Sequence, residues 1–225
     1  MTQEDEQTLL INIYAFDEQG NYGHCETYIL VQHSFGCETP PPMYNGVIAT
    51  EDGDLIEGVA VTLQGSDTVQ VTTNGDGVFF YIGDNLGEMI TITPFFDENP
   101  LNGVSTFDLV LISKHILGNQ PLNSPYKRIA ADVNKSGTIT VIDMILIRKL
   151  LLQIDETFVN NTSWRFIPAD YTFPIPGNPW FEMFPEEIQQ EDTSLGYLGA
   201  DFIGVKIGDV NGSVQTHAIT LPVSE

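Results

Sequence analysis

A chain of 225 residues has room for one large domain or two to three small ones, and its 42% apolar content is ordinary for a folded protein. Thirty-one acidic residues against eight basic ones give a net charge of −23, a surface that repels nucleic acid and anionic lipid and favours cations. No apolar run reaches the roughly eighteen residues that a spanning helix needs, so membrane insertion is not expected. The start, MTQEDEQTLL, lacks the basic and apolar regions of a signal peptide, so an exported form is expected to be mature or a fragment.

Residues 8–16 (TLLINIYAF) and 26–33 (ETYILVQH) are rich in β-branched and aromatic residues and bracket turn formers, which predicts a β-hairpin within residues 1–36. A lone hairpin is not stable in water. It is therefore the remnant of an Ig-like domain, a segment packed on the next domain, or a strand pair offered to another chain. Cys25 and Cys37 belong to no C-x-x-C pair, which argues against structural zinc. A disulfide between them would suit an oxidising compartment, and two buried thiols are the alternative.

Three consecutive prolines make residues 37–43 a stiff linker. Over residues 44–96, short runs (GVIAT, EGVAVTLQG, TVQVTT, GVFFYIG, MITITPFF) alternate with the turn signals EDGD, GSDT, NGDG and DNLGE, which predicts a small antiparallel sandwich. Through Gly46-Val47-Ile48, Gly58 to Leu63 and Thr73 to Phe79, this stretch resembles the CnaB or carboxypeptidase-regulatory-like β-sandwich family. Some CnaB domains carry a Lys–Asn isopeptide bond; no lysine precedes Lys114, so this segment cannot form one within itself.

Residues 97–153 hold an internal repeat, DENPLNGVSTFD before LVLISKHILG and DVNKSGTITVID before MILIRKLLLQ. Each copy is a twelve-residue polar loop running into an apolar helix. In the second loop Asp132, Asn134, Ser136, Thr138, Thr140 and Asp143 stand at positions 1, 3, 5, 7, 9 and 12. Calcium takes six to eight hard oxygens, and this spacing wraps them around one ion, with position 7 giving its backbone carbonyl. Gly137 at position 6 permits the sharp turn. The first loop places Asp97, Asn99, Leu101, Gly103, Ser105 and Asp108 at the same positions; Leu101 offers no side-chain oxygen, and Asn102 replaces the position-6 glycine. The alternative for both loops is a pair of Asx-rich helix-capping turns that bind nothing.

The first loop is entered from MITITPFF, which reads as strand, and the second from SPYKRIAA, which is short, so each unit reads as a loop plus its exiting helix, and position 12 is Asp rather than Glu. In this the repeat resembles the type I dockerin family, which implies two calcium ions and, in many members, docking onto a cohesin-like receptor. Such dockerins commonly present recognition residues at positions 10 and 11, here Thr106-Phe107 and Val141-Ile142. Apolar side chains there are expected to be buried against this chain's own tail, which weakens the case for a cohesin partner. Leu109, Ile112, Ile116 and Leu117, with Ile145, Ile147, Leu151 and Leu152, are expected to pack the two helices together.

Residues 154–225 carry many aromatic anchors among Pro and Gly, which predicts an ordered tail wrapping over the preceding domains and ending in a strand near 200–208. Asp209-Val210-Asn211-Gly212 repeats the start of the second loop without a position-12 acid, so it is either a partial third metal site or an Asx-Gly turn. The arrangement from the repeat to KIGDVNG resembles the ends of large surface proteins of Bacteroidetes-type bacteria. No catalytic set emerges: the four histidines are scattered, and no nucleophile elbow or phosphate loop occurs, so an enzyme is not expected.

The expected fold is multidomain and mainly β with a small α part: an Ig-like or CnaB-like β-sandwich, a dockerin-like duplicated loop-helix (half EF-hand) module, and an aromatic-rich tail. The expected function is a calcium-stabilised structural or adhesive module of an extracellular or cell-surface protein, including a subunit of an extracellular fibre that self-assembles through β-strand edges. The alternative is a module that anchors a larger secreted protein to a cohesin-like receptor.

Overall fold

The computed structural model describes residues 41–83, 86–191 and 196–217, together with the backbone of two strands in the first forty residues. The chain divides into residues 1–40 and 41–225. In the first unit, β1 (Gln7–Phe16) and β2 (Tyr22–Val31) form an antiparallel ladder from Phe16↔Tyr22 to Gln7↔Val31. The second strand starts four residues earlier than its sequence suggests, because Tyr22 and His24 extend the ladder opposite Phe16 and Tyr14. Pairing of Cys25 with Cys37, and most of the proposed linker, lie outside the described residues.

The second unit opens with five strands, β3 (Met43–Ala49), β4 (Ala60–Gln64), β5 (Thr68–Thr72), β6 (Val78–Ile82) and β7 (Met89–Phe95). Every second residue of β3 is buried, as expected of a strand with one face on a core. The helices α1 (Thr106–Ile116), α2 (Pro125–Ala131) and α3 (Val141–Leu151) follow. The segment after residue 154, expected to end in one strand, supplies four: β8 (Trp164–Pro168), β9 (Ile188–Glu191), β10 (Gly196–Tyr197) and β11 (Phe202–Lys206). One sheet runs β5-β4-β7-β9. In the other, β6 flanks β3 on one side, β10 and β11 lie parallel to β3 on the other, and β8 closes the edge against β11.

Between the sheets lies an apolar core of Tyr44, Ile48, Val61, Leu63, Phe79, Ile90, Ile92, Trp164, Phe166 and Phe202. The tail is fastened to β3 at close range: Ala200 N donates to Asn45 O (2.9 Å), and Val47 N donates to Asp201 Oδ1 (2.8 Å). Gly46 makes room for this contact, since a Cβ there would lie 2.0 Å from the Ala200 carbonyl oxygen.

The β8–β11 ribbon is covered on both faces. Trp164, Phe166 and Phe202 enter the sandwich core, whereas Ile167, Val205 and Ile207 join a second core with Leu109 and Ile112 of α1, Ile129 of α2, and Ile147 and Leu150 of α3. Strands buried on both faces lose the buried-exposed alternation, and WRFIP and FIGVK are each buried at four of five positions. Leu117, Ile145 and Leu152, expected inside, are 69%, 50% and 64% exposed. The inward stripe of α3 is Asp143, Ile147 and Leu150, at i, i+4 and i+7, and it turns the other apolar residues outward.

Candidate metal centre

The second loop begins where α2 ends, with Asp132 as C-cap, and runs into α3, whose N-cap is Thr140. Asp132 and Asp143 are both fully buried. Asp132 is held by three donors: Ser136 N (2.9 Å) and Ser136 Oγ (3.2 Å) on Oδ1, and Gly137 N (2.7 Å) on Oδ2. Asn134 Oδ1 accepts from Ser136 N (3.0 Å), and Ser136 Oγ donates to the Thr138 carbonyl (3.1 Å). Lys135 at position 4 and Gly137 at position 6 take positive φ, 57° and 76°, which bends the loop back on itself. Asn161 of the tail braces the loop, its Nδ2 donating to the Val133 carbonyl (3.2 Å).

Asp143 closes the loop and caps α3 at once. Its Oδ2 accepts from Thr140 N (2.8 Å) and Thr140 Oγ1 (3.1 Å), while its Oδ1 is enclosed and accepts no hydrogen bond. Burial raises the Asp143 carboxyl above the usual carboxylate range; the Thr140 hydrogen bonds oppose this and the like charge of Asp132 adds to it. Two buried carboxylates and an orphaned oxygen are costly without a positive charge between them. A hard divalent cation supplies that charge, and Asp132, Asn134, Ser136, Thr138, Thr140 and Asp143 are the oxygen-bearing residues that would hold it. Neutral oxygens make up most of this set. Among the described residues no group of three or more His, Cys, Asp or Glu side chains is gathered as metal ligands.

The first loop is arranged differently. Ser105 caps α1, and Asp108 Oδ2 accepts from Ser105 N and Ser105 Oγ, both at 2.8 Å, as Asp143 does from Thr140. The other oxygen, Asp108 Oδ1, accepts from Val210 N of the tail (2.9 Å). Asp97 faces elsewhere, its Oδ1 accepting from Ser163 N (2.6 Å). Lys206, only 4% exposed, donates from Nζ to Ser163 Oγ and to the Pro100 carbonyl, both at 2.9 Å. Burial lowers the Lys206 amine to about 8, against the charges of Asp209 and Asp97. Asn99 takes φ 52° and Leu101 is 36% exposed. Gly103 takes φ 77° and packs against the tail, where a Cβ would lie 2.6 Å from Asp209 Oδ2.

Residues 98–152 match the family model of the dockerin type I domain. No curated protein and no solved structure matches the chain. Type I dockerin domains bind calcium, generally pair with cohesins, and occur in secreted or cell-surface proteins. They are docking modules without catalytic activity of their own. Among the described residues no helix is long and apolar enough to cross a membrane.

At positions 10 and 11 the structure overturns the expected burial. Phe107 is 55% exposed, and Val141 and Ile142 are each 58% exposed. They occupy the first turns of α1 and α3, and the described residues of the tail leave them exposed.

Proposed function

We propose that this chain is a calcium-stabilised structural or adhesive module of an extracellular or cell-surface protein, in which the dockerin-like segment is an integral layer of a larger body. One observation carries this reading: the helices share their core with a β8–β11 ribbon whose other face belongs to the sandwich. Burying Ile167, Val205 and Ile207 contributes on the order of 5–9 kcal/mol at about 1.5–3 kcal/mol per side chain. That is more than the roughly 3–5 kcal/mol a small domain's own core supplies. The CnaB-like resemblance of residues 44–96 fits a surface protein, and calcium at the loops would lock the helical layer where the extracellular concentration is high.

Expression of residues 97–153 alone, with calcium, tests this. The fragment is expected to lack a cooperative melt and dispersed amide resonances, while residues 41–225 show both. A fragment that folds on its own with calcium overturns the reading.

A second reading, docking onto a cohesin-like receptor, draws on the exposed Phe107, Val141 and Ile142. Replacing Phe107 and Ile142 with Ser is expected to abolish such binding without lowering the melting temperature. Unchanged capture of a cohesin panel by the double variant would count against this face.

A further inference from the structure

The tail loop that starts at Asp209 shares two hydrogen bonds and one backbone turn with the second loop, although Asp209 Oδ1 accepts from Asn211 N (3.1 Å) and Gly212 N (2.9 Å) where Asp132 Oδ1 accepts from Ser136. Gly137 N donates to Asp132 Oδ2 and Val214 N to Asp209 Oδ2, each five residues on and each at 2.7 Å. Position 4 has positive φ in both loops, 57° at Lys135 and 71° at Gly212. The position-5 serine donates to a carbonyl in both, Ser136 Oγ to Thr138 O (3.1 Å) and Ser213 Oγ to Gly103 O (2.9 Å). Thr138 stands two residues before its N-cap Thr140, and Gly103 two before its N-cap Ser105, so the two carbonyls are equivalent. The tail thus lacks the second half of a loop, and residues 103–108 supply it. Two further bonds stitch the halves together: Asn102 Nδ2 donates to Gln215 O (2.7 Å), and Gln215 N donates to Asn102 Oδ1 (3.1 Å).

The stretch from Asp97 cannot take this turn. Its position 4 is Pro100, whose ring fixes φ near about −65°, and its position 5 is Leu101. Asp97 is also already engaged by Ser163, beside the buried ammonium of Lys206.

An independent observation points to a ligand. Among the described residues, two fully enclosed side-chain oxygens have no hydrogen-bond partner, Asp143 Oδ1 and Asn211 Oδ1. One belongs to the second loop. The other is position 3 of the tail loop, beside Asp108 and Asp209, which are 0% and 6% exposed. Both oxygens are left over at the place where a cation would take them.

We infer that the first calcium site is a split loop, in which Asp209, Asn211 and Ser213 of the tail supply the leading oxygens and the Gly103 carbonyl and Asp108 close it. Asp97 acts instead as a structural partner of Ser163 and Lys206. A cation there would bind the tail to α1 and tie the last described residues into the helical layer. The inference rests on the calcium reading above and adds the identity of the ligands.

Bound calcium per chain, measured on the full chain by equilibrium dialysis and atomic emission, tests it. The parent and Asp97→Ala are expected to hold two ions, and Asp132→Ala and Asp209→Ala one each. Asn211→Ala, which leaves the apolar core untouched, is expected to weaken one of the two sites at least tenfold, and it carries the test should Asp209→Ala fail to fold by circular dichroism. Loss of an ion in Asp97→Ala, with both retained in Asn211→Ala, overturns the split loop. A single ion in the parent, removed by Asp132→Ala, overturns it while sparing the calcium reading. No calcium in the parent overturns both.

Discussion

Removing calcium is the perturbation with the most direct consequence. Asp132 and Asp143 are fully buried together, and among the described residues Asp143 Oδ1 is enclosed without a hydrogen-bond partner. The folded calcium-free chain must hold both charges, whereas the unfolded chain hydrates them separately, so binding to the folded form raises stability by mass action. At free calcium one hundred times the dissociation constant this is about 2.7 kcal/mol per site. For a unit of this size each kcal/mol moves the melting point by about 2–4 °C, which gives a shift of about 5–11 °C for the second site alone. Scanning calorimetry on protein dialysed free of metal, with and without millimolar-scale calcium, reads it. Magnesium is the control: it demands a tighter octahedral shell and is expected to shift the midpoint far less. A midpoint that calcium leaves unmoved would refute the assignment of these oxygens to a cation site.

The same stabilisation should depend on pH. In the calcium-free chain Asp143 and Asp209 have pKa values raised first by burial, so the folded form takes up protons at higher pH than the unfolded form. Their penalty is therefore complete near neutral pH and fades as pH falls through the raised values. The calcium-induced shift in midpoint is expected to be largest near neutrality and to shrink on acidification; a shift that grows on acidification would contradict this sign. Gly46→Ala should destabilise the second unit by about 2–3 kcal/mol in urea unfolding, because the new Cβ meets the Ala200 carbonyl at 2.0 Å; a neutral result would mean that the tail does not seat on β3. Deleting residues 1–36 is expected to abolish concentration-dependent assembly in light scattering, since the β1–β2 ladder offers edges for strand addition. Assembly that survives the deletion, or a full chain that stays monomeric at high concentration, removes the hairpin from that role.

Much of this architecture was legible because its signals are local. Five strands of the sandwich follow alternating runs punctuated by Gly, Asp and Asn, and both long helices start at Ser or Thr with Asp three residues later, which forms a capping box in each. The second loop reads directly because all its oxygens lie within one contiguous twelve-residue stretch. The exposed face of α1 and α3 was misread because an apolar count does not say which side of a helix is closed. That is decided by the stripe through Asp143, Ile147 and Leu150, whose first member is polar and buried. Strands β8 and β9 escaped because WRFIP shows no alternation when both faces are covered, and IQQE is too short and polar to announce itself.

The split site we infer would be hidden from sequence for a different reason: its two halves are about one hundred residues apart, with Val210 N on Asp108 Oδ1 spanning 102 positions. Each half looks defective when read alone. DENPLNGVSTFD has the closing acid but a proline and a leucine where the turn and a ligand belong. GDVNGSV has the turn and the leading ligands but no closing acid. The defects are complementary, and that is the signal a sequence could have offered. An intact register in the first repeat masks it, because Asp97 and Asn99 fall at the right spacing and supply a sufficient local explanation. Register assigns position; it does not test whether the backbone can take the turn. On the split-loop inference, Pro100 is the residue that argues against Asp97, because it stands where Lys135 and Gly212 adopt positive φ, and it does so through backbone sterics rather than ligand chemistry.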